Sequence, residues 1–427
     1  MAIPVGGRDA TDARILLREV LEPAQVCTAA ADDAVDGVVP QAVAVPASAE
    51  EVARIVGVAT EQRLALIAVG GRTLIATGNR PRAFDVAVST ERFDRAPELR
   101  ADDMTVAVEA GVTLARLNTA LAEASQRVAL DTACPERATI GGLVAANATG
   151  GLAYGFGLPR DLVLGMTVVD GRGRTLRLGG RVVKNVAGYD LVRLFAGSFS
   201  TLGIFTSVVL RTHPRPERSG VLAFRFAEAT ALDEARARIF SSALPLAALD
   251  LSSGADGSWV LSARVEGTER EWTYQNEQIA ACCGRGSPME PASLAEPWVS
   301  ESVPRAAETL VVRFAARPTA SVELAARLLD TVRSAVRPRV FGRLGDGSVR
   351  AGWALADPER CYAIVGSLSA LADERSLPMV VECAPPEVKS RLDVWGAAGP
   401  TVALTRRIKQ SFDPMGVLAP GRFVGRL

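Results

Sequence analysis

The chain has 427 residues, 48% of them hydrophobic, and carries 48 basic against 48 acidic side chains, a formal net charge of zero. That balance argues against a nucleic-acid binder, and the length suffices for two or three cored domains. A single histidine, His213, rules out an imidazole cluster within one chain and weighs against a Ser/His/Asp triad. The six cysteines show neither CxxC nor iron–sulfur spacing and read as reduced thiols. The first residues lack a basic stretch followed by an apolar core, and no apolar run reaches about 18 residues. The expectation is a cytoplasmic protein that meets a membrane only through partners.

Strand and helix alternate through the first half. In SAEEVARIVGVATEQR, Ser48 and Glu51 form a capping pattern ahead of Val52, Ile55 and Val56 at helical spacing, so a helix starts here. LALIAV follows as a buried strand running into Gly70 and Gly71. FDVAVS and MTVAVEAG read as strands, and Thr113 caps a helix with Leu114, Leu117 and Leu121 on one face. Glycine and small residues recur so often over 139–157 (TIGGLVAANATGGLAYGFG) that the segment reads as loop-rich. LVLGMTVVDGRGRTLRLGG is a hairpin around DGRG, Asp190 starts a short helix, and TLGIFTSVVLRTH is the last strand before HPRPERSG, the best boundary. Beyond it, two βαββαβ-like sets of elements predict an antiparallel sheet covered by helices. The tail from Thr401 reads as a short helix and an extended strap.

Two glycine-bearing loops, VGGRT at 69–73 and TIGG at 139–142, have the composition of backbone anion nests, although each also suits an ordinary tight turn. No GxGxxG joins a strand to a helix, so a dinucleotide site here is not of the Rossmann type. RLGDGSVR, 343–350, leaves two readings open: a hairpin turn with exposed arginines, or Arg343 and Arg350 as a carboxylate clamp.

The succession VGGRT, TIGGLVAANATGG, YGFGLPRDLVLGMTVVDGRG, KNVAGYDLVRLFAGSFSTLG and FDPMGVLAPGRF resembles the vanillyl-alcohol-oxidase or p-cresol-methylhydroxylase (PCMH) type of flavoprotein. Within it, RVVKNVAGYDLVRLFAGS and CAPPEVKSRLDVWG most resemble the E subunit of bacterial glycolate oxidase. The resemblance implies an α+β fold: a two-subdomain FAD-binding domain over 1–215, an α/β cap domain with an antiparallel sheet over 216–400, and a strap over 401–427. It implies non-covalent FAD held by Gly70, Gly71, Arg72, Thr73, Pro135, Thr139, Gly141, Gly142, Asn147, Tyr154, Gly155, Arg160, Asp161, Gly203 and Ile204. Four departures stand out: Arg72 and Ser200 replace glycines, Phe199 replaces a glutamate, and Ala419 replaces an asparagine. Arg72 then needs either a backbone angle that an arginine can adopt or a shifted loop.

The catalytic relatives carry His-x-Gly-Asp-Gly-Asn-x-His and Glu-His as metal ligands and base. Here Arg343, Arg350 and Cys383 stand at those histidine positions, which implies no metal. The implied role is an FAD-binding subunit of a 2-hydroxyacid dehydrogenase complex, relaying electrons or supporting assembly beside a catalytic flavin subunit and an iron–sulfur subunit. A self-sufficient oxidoreductase acting on a small 2-hydroxy acid, and a structural subunit with vestigial FAD, are the alternatives.

Overall fold

Ser48 Oγ accepts the Glu51 N–H at 3.2 Å and starts the helix Ala49–Gln62, whose Val52, Ile55, Val56 and Ala59 face the core. The computed structural model describes residues 12–148, 150–181, 188–289, 309–331, 337–355, 357–397 and 399–427. The VVKNVA stretch of the glycolate-oxidase-like motif, 182–187, lies outside them, as does the expected end of the helix over 320–335.

The helix Ala49–Gln62 leads into Leu66–Val69, which pairs in parallel with Val86–Ser89; Ala42–Ala44 and Val26–Thr28 complete a four-stranded sheet. The free edge of Leu66–Val69 takes the C-terminal tail. The Leu66 N–H donates to the Val417 carbonyl at 2.8 Å, and the Ala419 N–H to the Leu66 carbonyl at 2.7 Å. The last residues of the chain therefore run beside the strand that delivers VGGRT.

Five antiparallel strands form the second sheet, in the order Glu98–Arg100, Thr105–Glu109, Gly203–Arg211, Val163–Asp170, Thr175–Gly179. Asp170 Oδ1 accepts the Arg172 and Arg174 N–H groups at 3.0 and 2.9 Å, closing the DGRG hairpin. The loop-rich reading of 139–157 is corrected. Thr139 Oγ1 accepts the Gly142 N–H at 3.3 Å and starts a helix, Ile140–Ala146, that Asn147 ends at φ 50°. Small residues recur there because the helix lies tight on its neighbours: a Cβ on Gly141 would sit 2.7 Å from the Ala110 Cβ.

The second half builds one eight-stranded antiparallel sheet, its two sets of strands fused where Ala248–Ser253 pairs with Arg339–Arg343. Helices Ala229–Ser241, Glu269–Cys282, Ser321–Thr331 and Pro358–Arg375 supply apolar residues to its core. Alternation sorts the strands by face. Leu249, Leu251, Val312, Phe314, Val349, Ala351, Trp353 and Val381 enter the helix-covered core, which leaves Asp250, Arg313, Arg343, Ser348, Arg350 and Glu382 on the other face. That face meets the first half of the chain, with Arg343 Nη1 donating to the Gly150 carbonyl at 3.1 Å.

Candidate active site

At the end of Leu66–Val69 the chain turns sharply through Gly70 and Gly71. A Cβ on Gly70 would meet Thr139 Oγ1 at 2.3 Å, and one on Gly71 would meet the Arg137 carbonyl oxygen at 1.6 Å, so only glycine fits. Among the described residues no acceptor takes the N–H groups of Gly70, Gly71, Arg72 or Thr73. They border a cleft with Thr139, Gly141, Gly142, Phe199, Ser200 and Arg422.

The departures share one backbone feature. Arg72, Phe199, Ser200 and Ala419 have φ of 59°, 52°, 56° and 45°, the left-handed angles that glycine or asparagine adopts readily. Arg72 thus takes the angle rather than avoiding it, and each of these side chains bears the strain of that region. Arg72 turns its guanidinium away onto the Asp32 carbonyl at 2.9 Å and the Asp33 carboxylate.

A second cavity of about 470 Å³ adjoins the cleft, sharing Leu74, Ala146 and Phe199 with it. Its polar wall is the face of the large sheet that meets the first half of the chain. Arg313 lies opposite Arg350, and Arg343 opposite Ser348, so their side chains share one face. Arg350 Nε donates to Glu382 Oε2 at 2.7 Å and its Nη2 to Oε1 at 3.1 Å, while Arg313 Nε reaches Oε1 at 2.6 Å. Burial by itself would raise the Glu382 carboxyl, but Arg350 and Arg313 overcome it and bring its pKa down to about 2. Arg343 pairs with Asp346 at 2.7 Å. Arg160 also lines the cavity, so four arginines and two carboxylates border it, an arrangement suited to an anion. The GDG hairpin is present, but its arginines are not solvent-exposed: both side chains are nearly buried, because the turn packs against the first half of the chain.

Directly opposite Arg343 in register is Asp250, fully buried, its two carboxyl oxygens without a hydrogen-bond donor among the described residues. Burial, with Asp131 and Asp346 nearby, pushes its carboxyl well above the usual range despite Arg343 and Arg350.

Of the residues assigned to FAD by resemblance, Gly70, Gly71, Arg72, Thr73, Thr139, Gly141 and Gly142 line the cleft, and Asn147 and Arg160 line the adjoining cavity. Asn147 Oδ1 accepts the Arg160 N–H at 2.9 Å. The others lie apart. Pro135 accepts the Ala115 N–H at 3.0 Å in a turn, and Asp161 accepts the Leu158 N–H at 3.1 Å. Tyr154 packs under Gly345, and the Gly155 N–H bonds the Ala247 carbonyl at 3.2 Å, so both hold the two halves together. Gly203 and Ile204 are buried within their strand. His213 stacks edge-on against Phe156 at 5.0 Å, and burial and Arg127 lower its pKa.

Sequence reasoning missed Arg313, Trp395 and Arg422 as lining residues. Arg313 had a signal, a lone charge in the apolar strand LVVRFA. Arg422 had none, since its partners are the carbonyls of Ile75 and Thr77, 347 and 345 positions away.

The cleft fits a diphosphate-bearing dinucleotide: four successive N–H groups without an acceptor among the described residues form an anion nest, and the walls from Ala145 and Ala146 are small. Residues 40–179 match the family model described as FAD binding domain. An uncharacterized FAD-linked oxidoreductase of Mycobacterium tuberculosis is 26% identical over 90% of this chain and 91% of its own length. Glycolate oxidase subunit GlcD of Bacillus subtilis is 24% identical over 91% of this chain and 89% of its own. Subunit GlcE of Escherichia coli is 39% identical over 27% of this chain and 34% of its own. The structure of p-cresol methylhydroxylase with substrate bound superposes with a TM-score of 0.73 at 17% identity, covering 96% of each chain. The glycine loop, its free N–H groups and these likenesses together make the chain an FAD-dependent oxidoreductase with a PCMH-type FAD-binding fold.

Proposed function

We propose that this chain is the FAD-binding subunit of a glycolate-oxidase-like complex that oxidises a small 2-hydroxy carboxylate, beside a catalytic flavin subunit and an iron–sulfur subunit. The observation that carries the reading is the arginine-lined cavity opening onto the FAD cleft. Arg350 and Arg313 flank its centre with donors beyond those spent on Glu382, and Arg343 stands beside them, so a ligand carboxylate finds bidentate partners. FAD, when bound, supplies the hydride acceptor. What the cavity lacks, among the described residues, is a proton acceptor. Glu382 is held ionised by two guanidiniums, Asp346 is paired with Arg343, and the lone imidazole sits elsewhere. General-base help is worth about 10² to 10⁴ in rate, so the isolated chain binds the acid but turns it over slowly. The subunit names of two relatives support an assembly in which another chain performs that step.

The competing reading, a self-sufficient dehydrogenase, is favoured by the fact that one chain supplies both the cleft and the anion-binding cavity. Anaerobic stopped-flow of the isolated chain with glycolate, lactate and longer 2-hydroxy acids separates the two. Flavin bleaching that needs minutes, and quickens on adding the partner subunits, is the expected result. Full reduction within seconds by the chain alone would replace the subunit reading with the self-sufficient one.

A further inference from the structure

The buried guanidinium of Arg422 has a charge that its protein neighbours do not balance. It comes from the C-terminal tail and is 4% exposed. Its Nη2 donates to the Ile75 carbonyl at 2.7 Å and to the Thr77 carbonyl, at the end of the glycine loop. Its Nη1 has no hydrogen-bond acceptor among the described residues, and the residue lines the cleft. The nearest carboxylate oxygen, Asp36 Oδ2, is 3.9 Å away, and Asp36 is already engaged by the buried Lys389 at 2.7 Å. One buried carboxylate thus serves two buried cations. A buried cation left over is costly unless a further anion meets it.

We propose that Arg422 binds an anionic oxygen of FAD, either of its diphosphate or of the pyrimidine edge of the reduced ring, and that cofactor loading and docking of the C-terminal tail are thereby coupled. The proposal rests on FAD in the cleft and is independent of the substrate reading. Coupling follows from connectivity. The same tail bonds the edge of Leu66–Val69, the Arg422 carbonyl accepts the Asn79 N–H at 3.1 Å and Trp395 Nε1 at 2.9 Å, and the Arg426 guanidinium bonds the carbonyls of Lys389 and Leu392. An anion that satisfies Arg422 therefore holds tail, glycine loop and cap together.

The test compares full-length wild type with Arg422→Gln, which still has a donor for the loop carbonyls, and Arg422→Lys, which keeps the charge. FAD and riboflavin are titrated into the apoprotein by fluorescence. Arg422→Gln is expected to weaken FAD about 10-fold or more, and Arg422→Lys by only a few-fold. An unchanged riboflavin affinity assigns the contact to the diphosphate; a parallel loss for riboflavin with a lowered flavin midpoint potential assigns it to the ring. In the wild type alone, added FAD should protect the tail after Phe412 from limited proteolysis. FAD affinity of Arg422→Gln within about twofold of wild type, or a wild-type tail equally resistant with and without FAD, would overturn the proposal.

Discussion

Arg350 grips Glu382 with two hydrogen bonds, Nε to Oε2 at 2.7 Å and Nη2 to Oε1 at 3.1 Å, and Arg313 takes the same carboxylate from the neighbouring strand. The pairing organises the anion-binding wall, since it fixes two guanidiniums in one plane of the sheet while Arg343 and Arg160 extend the positive surface. It also neutralises the carboxylate that would otherwise repel an acidic ligand.

Glu382→Gln should therefore be destabilising and acid-sensitive in a defined direction. A carboxyl with its folded pKa at about 2 against an ordinary value of 4.5 adds stability above about pH 4.5 that is lost as pH falls through 2. Removing the charge costs roughly 3 kcal/mol at neutral pH, and much less at pH 3. Urea denaturation of both proteins across that range measures the difference; equal losses at both pH values would contradict the assignment.

Asp250→Asn should act with the opposite sign. Its carboxyl is raised well above 3.8 by burial, so the folded protein keeps a proton that the unfolded chain releases. Stability accordingly falls as pH rises from about 4 towards the folded pKa, by at most roughly 1.4 kcal/mol per pH unit. The asparagine variant should lack that slope and be more stable than wild type at the alkaline end, as read from denaturation midpoints between pH 4 and 9.

Loss of a guanidinium from the cavity should weaken carboxylate ligands. Arg350→Met and Arg343→Met are each expected to lower the affinity for oxalate, read by its perturbation of the flavin spectrum, by about 10- to 100-fold. FAD content should stay at wild-type level, because neither side chain borders the glycine loop.

Relief of the left-handed positions should stabilise the cleft. Ser200→Gly at φ 56° should gain about 1 kcal/mol, whereas Gly71→Ala, which drives a Cβ to 1.6 Å from the Arg137 carbonyl oxygen, should purify largely without flavin. Thermal melts and the ratio of flavin to protein absorbance decide both.

FAD is expected to be held without a covalent bond. The sole histidine is packed against Phe156 and does not line the cleft. After acid precipitation the yellow colour should appear in the supernatant, and a coloured pellet would contradict it.

Local features were readable from the chain because their partners are close in sequence. The Ser48, Thr113 and Asp190 caps each accept an N–H three residues on, and the DGRG turn closes on Asp170. The helix Ile140–Ala146 was misread since its small residues answer to a strand some thirty positions earlier, through Ala110, which no local pattern records. Arg343 and Arg350 illustrate the limit most clearly. A Gly-Asp-Gly turn between arginines looks alike whether it is solvated or buried.

What the sequence alone determined is what its composition and short spacings dictate: no imidazole chemistry beyond His213, glycine where the backbone has no room for a Cβ, and alternating faces on each strand. Which alternating face meets the FAD-binding half depends on how the two halves pack. Only the tertiary structure decided that Arg313, Glu382 and Arg350 converge there, and that Arg422 returns from the end of the chain to the loop after Gly71. The physical reason is that a charged side chain is defined by its partners. Those partners were set by sheet register and by the packing of the two halves, across separations of 32 to 347 residues.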